Sequence, residues 1–315
     1  MAVPIVHHPS YVMTLPRKHG FPMGKYSRLI QLLRNEGLAT AQTLNKPAMP
    51  PRWWLELVHD SDYVDGILTQ TANDNVMRRI GLPLSPQLAD RARISAGGTV
   101  MTALLALQHG IACNTAGGSH HASAAHGAGY CLFNDVAIAA RVLQASGLAM
   151  NMLVVDLDVH QGDGTAEIFR GDGAVFTFSM HCRDNFPVRK QSSDLDIGLP
   201  SGTGDRDYLD ILSTQLPDLL ANLSPDLVFY NAGVDPHHAD VLGKLALTDE
   251  GLADRDSMVI TACARRNLPV ACVLGGGYDR NAVLLAQRHA LLYRAADHIF
   301  RRTIGLASAV SAVSH

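Results

Sequence analysis

Four stretches of the chain are short, continuously apolar and rich in β-branched or aromatic residues: MLVVDLD (152–158), AVFTFSM (174–180), DLVFYNAG (226–233) and PVACVLGGG (269–277). Alternating apolar and polar positions would mark strands with one wet face. Unbroken apolar runs mark strands covered on both faces, as in a parallel sheet between helices. Helix-like segments lie between and around these runs. Residues 85–110 enter with Ser-Pro and end at Gly110; 134–147 start at Asn134 and stop at Gly147; 248–266 open with Thr248; 280–302 form the last long segment. Strand and helix alternating in this way predict an α/β fold with a mainly parallel sheet and crossover helices. Three stretches rich in Pro, Gly or Asp, at 14–24, 72–85 and 181–206, read as long loops. No linker, repeat or low-complexity block intervenes, so residues 1–315 are read as one domain with a frayed end at 306–315.

Composition narrows the function classes. The chain of 315 residues is 47% hydrophobic and 17% charged, an ordinary soluble globular composition. Its formal net charge of −3 offers no basic footprint for nucleic acid. No apolar stretch reaches the roughly 18 residues of a membrane span, so no membrane partner is expected. The start, MAVPIVHHPSY, lacks a charged region followed by an apolar run, so no signal peptide is expected either. Cys113, Cys131, Cys182, Cys263 and Cys272 are scattered without a CxxC pair, which suits free thiols and a cytoplasmic location.

The chemistry sits just beyond the apolar runs. His120–His121 follow ACNTAGGS; Asp156, Asp158, His160 and Asp163 close and follow MLVVDLD; Asp235 follows VFYNAGV; Tyr278 follows VLGGG. Open α/β sheets bind ligands outside the carboxyl ends of their strands, so parallel neighbours would bring these clusters to one rim. Asp158 and His160, two apart on extended backbone, face the same side. With Asp235 they make two carboxylates and an imidazole, the three-ligand pattern of a catalytic zinc site, and the carboxylates neutralise the ion. Asp156 has the same parity but sits deeper, where it could orient a histidine or hold a second cation. Plainer readings compete. An Asp at a strand end often serves a cap or turn, and GGG can be a tight turn alone. The pairs His7–His8 and His237–His238 read as surface or incidental. The DxD at 156–158 also fits a haloacid-dehalogenase-like phosphatase, with Asp156 as nucleophile, Asp158 as acid/base and Mg²⁺. That motif normally opens its domain, lies mid-chain here, and would leave His120, His121 and Tyr278 unused.

The set GGSHHAS…GYCLFNDVAIAA, VVDLDVHQGDGT, FSMH, NAGVDPH and VLGGGYDR resembles, in order and spacing, the histone deacetylase family. That family includes acetoin-utilisation-like proteins and acetylpolyamine amidohydrolases on the arginase–deacetylase fold, a mainly parallel sheet of about eight strands with helices on both faces. LPRKHGFPMGKY (15–26) is most similar to the class IV branch and its bacterial relatives. The resemblance implies that Asp158, His160 and Asp235 bind Zn²⁺, and that His120 and His121 flank the attacking water. It pairs Asp156 with His120 and Asp163 with His121, and gives Tyr278 the oxyanion. It implies K⁺ held by Asp156, Ser179, Met180 and the carbonyls of Asp158 and His160. It lines a substrate tunnel with Gly129, Tyr130, Phe186 and Leu242. The implied activity is hydrolysis of an acylated lysine in a protein, or of a small acylated amine such as an acetylpolyamine. A non-enzymatic acyl-amide reader is a further possibility, opposed by the intact set of catalytic residue types.

Four departures shape that expectation. Gln161 stands where many deacetylases have a second histidine, outside the ligand set. Tyr130 replaces a common Phe and adds a polar tip to the tunnel wall. Leu242 occupies the place where the polyamine-selective branch tends to carry Glu, which removes an anchor for a second ammonium. Residues 75–86 show no counterpart of the loop Asp that grips peptide backbone in class I enzymes. A two-metal ureohydrolase on the same fold would need a late DxD, where this chain reads Asp235-Pro236-His237.

Overall fold

The four apolar runs lie side by side at the centre of one sheet. A computed structural model describes residues 2–313, with side chains through Thr303. The strands are β1 (Ile5–Val6), β2 (Leu44–Asn45), β3 (Ile111–Asn114), β4 (Met152–Asp156), β5 (Val175–Cys182), β6 (Leu195–Leu199), β7 (Leu227–Asn231) and β8 (Val270–Val273). They form one eight-stranded sheet in the order β2-β1-β3-β8-β7-β4-β5-β6, and every neighbouring pair is parallel. Strands β3, β4, β7 and β8 are buried at every residue, as unbroken apolar runs require.

The helices are α1 (Gly24–Asn35), α2 (Arg52–Glu56), α3 (Ser61–Leu68), α4 (Asp74–Ile80), α5 (Pro86–His109), α6 (Asp135–Ala145), α7 (Asp163–Ile168), α8 (Asp205–Leu223), α9 (Asp249–Ala264) and α10 (Ala282–Val313). Apart from α4, they fall into two packed groups, α1–α10–α9–α8 and α3–α5–α6 with α2 and α7. Helices α5 and α10 both lie against β3, so the sheet is sandwiched. Caps sit where side-chain chemistry places them. Ser85, Asn134 and Thr248 accept from Leu88 N, Ala137 N and Gly251 N, and Gly110 closes α5 at φ 88°. Among the described residues no helix is long and apolar enough to cross a membrane.

The strand order explains where the site must be. From β4 the chain moves outward to β5 and β6; from β7 it moves the other way to β8. The segments leaving the adjacent strands β4 and β7 therefore part at their carboxyl ends and leave a crevice between them.

Some expectations need correction. Residues 72–85 are not all loop: Asn73 caps α4, and Gly81 ends it at φ 73°. Its seven residues are too few for a clear helical period. Residues 181–206 contain β6, an edge strand with one face wet, which a search for unbroken apolar runs passes over. The two-residue strands β1 and β2 carry no period at all. Backbone of 306–313 continues α10 where a frayed end was expected, and 314–315 lie outside the described residues. His7 and His237 are not incidental surface groups. His7 Nδ1 lies 2.7 Å from Thr115 Oγ1, and His237, 3% exposed, accepts from Ala239 N through Nδ1.

Two consecutive glycines interrupt α5, although each costs about 1 kcal/mol against Ala in a helix interior. The packing explains them: a Cβ on Gly97 would stand 3.0 Å from Ala48 O, and one on Gly98 would stand 2.0 Å from the Tyr11 hydroxyl. Tyr11 is fully buried, so it has no room to retreat. Gly98→Ala is expected to destabilise the fold by about 1–3 kcal/mol despite its better helix propensity, read as a lower urea midpoint with unchanged slope.

Candidate active site

Four adjacent strands, β3, β8, β7 and β4, each deliver a polar group to the same rim. Asp158 and His160 lie on the segment after β4 and Asp235 on the segment after β7; all three are buried. One ligand atom from each falls within 4.8 Å of the others. His160 Nδ1 stands 3.1 Å from Asp158 Oδ1 and 3.2 Å from Asp235 Oδ2. The second oxygen of each carboxylate is committed to main chain: Gly276 N donates to Asp158 Oδ2 at 2.7 Å, and Val159 N to Asp235 Oδ1 at 2.9 Å. Asp235 Oδ2 is buried without any hydrogen-bond partner. An orphaned carboxylate oxygen aimed at an imidazole and a second carboxylate is costly unless a cation completes it. The donor set of two oxygens and one nitrogen suits Zn²⁺ with an open position.

Beside this group the tandem histidines are held in different states. His120 Nδ1 pairs with Asp156 Oδ2 at 2.7 Å, and His121 Nδ1 with Asp163 Oδ1 at 2.6 Å. Their Nε2 atoms are 3.1 Å apart. Burial lowers the pKa of both. For His120 the charges of Asp156 and Asp158 outweigh burial and raise it to about 9. For His121 burial and the neighbouring charge on His120 prevail over Asp163 and lower it to about 4. A divalent cation on Asp158 and Asp235 would remove part of the field that raises His120, and would leave the direction of His121 intact. Burial and the charges on Asp158 and Asp235 push the Tyr278 phenol well above its ordinary value, so it stays a donor.

Glycine is required where the GGG turn meets the ligands. A Cβ on Gly276 would stand 2.1 Å from Asp235 Oδ2 and 2.7 Å from Asp158 Oδ2, and Gly275 and Gly277 adopt φ 67° and 145°. The turn is tied down from both sides. Lys25, 1% exposed, donates to Gly275 O at 3.2 Å and Gly277 O at 3.4 Å and lies 5.7 Å from the Tyr278 ring centroid. On the outer side Tyr278 N donates to Asp240 Oδ2 at 2.6 Å.

Three further supports carry no spacing signal in the sequence. Asn231 Nδ2 donates to Asp156 Oδ1 at 2.9 Å, across the β4–β7 register that pairs these two residues. Arg255, fully buried on α9, donates to Leu157 O at 3.2 Å and Gly233 O at 2.6 Å, while its own charge is met by Asp256. It thus bridges the two ligand-bearing segments one residue before Asp158 and two before Asp235. His59 Nδ1 donates to Ser123 O at 2.8 Å, and its Nε2 accepts from Asn134 N at 2.9 Å, anchoring the backbone just after His121.

The site opens outward into a cavity of about 450 Å³. His121, Gly129, Tyr130, His160, Phe186, Leu242 and Tyr278 line it, so the residues expected on the tunnel wall do meet there. Phe186 packs edge-on to His121 at 4.9 Å between ring centroids. Gly129, at φ 53°, leaves room for the imidazole, since a Cβ would lie 2.5 Å from His121 Cδ2. Gln161 is outside the ligand group and bonds Gln191 and Asp196 beside β6. Ser179 and Met180 lie on β5, with Ser179 opposite Asp156 in register and its Oγ 2.9 Å from His181 Nδ1. Both oxygens of Asp156 are engaged and the residue is buried, which leaves no free carboxylate for a phosphatase nucleophile.

Two outcomes follow from these supports. Arg255→Met should destabilise the fold by about 3–5 kcal/mol, read as a lower urea midpoint, because it leaves the Asp256 carboxylate buried without its cation and removes the bridge between Leu157 and Gly233. His59 makes stability depend on pH, because burial lowers its pKa to about 4. It stays neutral in the fold while the unfolded chain takes up a proton below about pH 6.5. Its stabilisation is therefore complete above about pH 6.5 and is lost as pH falls toward about 4, in total about 3 kcal/mol. The difference between wild type and His59→Gln in urea titrations over that window should correspond to about one proton.

Comparison with known proteins accords with this geometry. The histone deacetylase domain model matches residues 19–293. An uncharacterized protein of Picosynechococcus sp. is 53% identical over 300 residues, 95% of this chain and 100% of its own length. A probable deacetylase of Methanothermobacter thermautotrophicus is 30% identical, covering 89% of this chain and 86% of that one. The acetoin utilization protein AcuC of Staphylococcus aureus is 28% identical over 83% of this chain and 73% of its own. The crystal structure of the HDA15 HD domain matches with a TM-score of 0.79 at 22% identity, covering 96% of this chain and 94% of that one, a likeness of fold. With a parallel eight-stranded sheet whose carboxyl edge gathers three buried carboxylates, three histidines and a tyrosine, and a domain match over most of its length, this chain belongs to the histone deacetylase family.

Proposed function

We propose that the protein is a zinc-dependent amidohydrolase that removes an acyl group from the side-chain amine of lysine. The carrying observation is the convergence of Asp158, His160 and Asp235, whose candidate ligand atoms lie within 4.8 Å of one another, beside two histidines that are each backed on Nδ1 by a carboxylate. A neutral imidazole can take a proton from water at neutral pH, and a cationic neighbour can stabilise developing negative charge.

Asp158, His160 and Asp235 would hold Zn²⁺, with Asp235 Oδ2 the oxygen left free for it. When bound, the ion supplies polarisation of the amide carbonyl and acidifies the attacking water. His121 Nε2 accepts the water proton and returns it to the leaving amine; Asp163 on Nδ1 keeps that imidazole oriented. His120, charged against Asp156, faces the oxyanion side. Tyr278 donates a hydrogen bond to the oxyanion, from a turn that Lys25 anchors. Gly129, Tyr130, Phe186 and Leu242 flank the aliphatic stem of the substrate and exclude water from it. Asp156, Ser179 and Met180, with the carbonyls of Asp158 and His160, would hold K⁺ at the β4–β5 end. The register that faces Ser179 with Asp156 supports this set. The whole chain acts as one catalytic domain, and its five buried free cysteines suit the reducing cytoplasm. Acetylpolyamine is the weaker reading, since Leu242 lines the mouth and no carboxylate does among the described residues.

Zinc-loaded protein should release acyl groups from one class within a panel of lysine peptides carrying acetyl through myristoyl groups, and Asp235→Ala should abolish both turnover and zinc binding. Turnover of acetylspermidine alone would move the assignment to small amines; silence of the zinc-bound protein on every substrate would reject it. Tyr278→Phe should lower kcat by about 10²–10³ with little change in KM, as expected for loss of one oxyanion donor.

A further inference from the structure

The mouth of the cavity is basic on a chain whose formal net charge is −3. Arg79, from the end of α4, and Lys244 both line it, together with Asn185, Phe186 and Leu242. Both cations are exposed, and among the described residues neither makes an ion pair within 4.0 Å. Lys244 Nζ donates to the main-chain carbonyl of Asp184 at 2.7 Å, while the Asp184 carboxylate turns to Ser201 Oγ at 2.8 Å. The neighbouring segments add further cations. Lys18, Arg78 and Arg189 are exposed on the three segments that surround the opening. Those segments are locked around it: His19 Nε2 lies 3.0 Å from Gly81 O, Gly129 N donates to Arg79 O at 3.1 Å, and Asn185 Nδ2 to Leu242 O at 2.6 Å. The exposed carboxylates Asp60, Asp62 and Asp65 line a separate depression, and Asp74 shares an adjoining hollow with Arg78 but does not line the cavity itself.

We infer that Arg79 and Lys244 select substrates carrying carboxylates just outside the scissile amide, so that the preferred substrate is an acyl-lysine flanked by Asp or Glu. The inference rests on the amidohydrolase reading for its chemistry, but its charge argument concerns binding alone. The cations stand at the opening, about where the backbone and adjacent side chains of an inserted lysine must lie. Their fields sum with those of Lys18, Arg78 and Arg189 and are screened within roughly 10 Å at 0.1 M salt. Such rim charges act mainly on encounter rate and on rejection of like-charged partners. A free acyl-lysine offers the same chemistry through its α-carboxylate, at a single position.

The test compares capped acetyl-lysine peptides that differ only in having Glu, Gln or Lys on both sides, with free Nε-acetyl-lysine as a fourth arm. Fluorescence anisotropy of labelled peptides on the zinc-loaded protein measures binding whether or not they turn over. Glu-flanked peptide should bind about tenfold more tightly than Lys-flanked peptide at low salt, and the gap should close by 0.5 M NaCl. R79E/K244E should reverse the order and R79Q/K244Q should flatten it, with unchanged thermal melting for both. Free acetyl-lysine bound as tightly as the Glu-flanked peptide would assign the carboxylate to the amino acid itself and overturn the flanking-residue assignment. Equal binding of all three peptides, or binding only to phosphatidylserine vesicles, would overturn the inference. Charge-ordered binding without hydrolysis of any peptide would reject the amidohydrolase reading and leave the inference standing.

Discussion

Two carboxylates of like charge, Asp158 and Asp235, are buried side by side at the ends of adjacent strands. Left alone, such a pair would repel and at least one member would take up a proton. Burial and the charge of Asp158 do push Asp235 upward, while the neighbouring histidines hold Asp158 low. Much of the surrounding structure answers this problem. Main-chain N–H groups of Val159 and Gly276 each take one oxygen, and the His160 imidazole sits between the other two, of which Asp235 Oδ2 makes no hydrogen bond. The GGG turn exists because no side chain could approach these oxygens, and its backbone amide is one of the donors.

The same constraint divides the tandem histidines. His120 faces Asp156 and Asp158 and gains positive charge; His121 faces the weaker, more exposed Asp163 and its charged neighbour and stays neutral. Two identical side chains, adjacent in sequence, are pushed in opposite directions by position alone. Catalytic acids and bases are commonly separated in this way, by environments that drive their pKa values apart. The arrangement needs rigid backbone on every side. His59 anchors the segment after His121, Arg255 bridges the ligand segments, and Lys25 fastens the turn before Tyr278.

A core this polar survives only because the strands beneath it are covered on both faces. β4 and β7 are buried throughout, and their carboxyl ends part at the point where the chain turns outward in opposite directions. The site is therefore a consequence of strand order as much as of residue type. Beyond it the character changes over a short distance, from a charged buried centre to an apolar wall of Tyr130, Phe186 and Leu242, and then to a basic rim.

By itself the sequence determined the central strands, the principal long helices and the polar groups at the strand ends. Unbroken apolar runs and Asx, Ser or Thr caps are local signals, and Asp158 and His160 are close enough for strand parity to align them. Asp235, the tandem histidines and Tyr278 stood out in the same way after other apolar runs, and the family resemblance, carried by five linked motifs, gave each an expected role. What it did not reveal spans long distances or lacks a period. Arg255 meets Leu157 across 98 positions and lies in no motif; Lys25 meets Gly275 across 250, and although it lies in the 15–26 segment nothing there signals that contact. α4 and β6 are too short, or too wet on one face, to announce themselves. Only the tertiary structure decided that Arg79 and Lys244 share one opening, because facing side chains are set by how loops from different strands close over the sheet, and no spacing along the chain encodes that meeting.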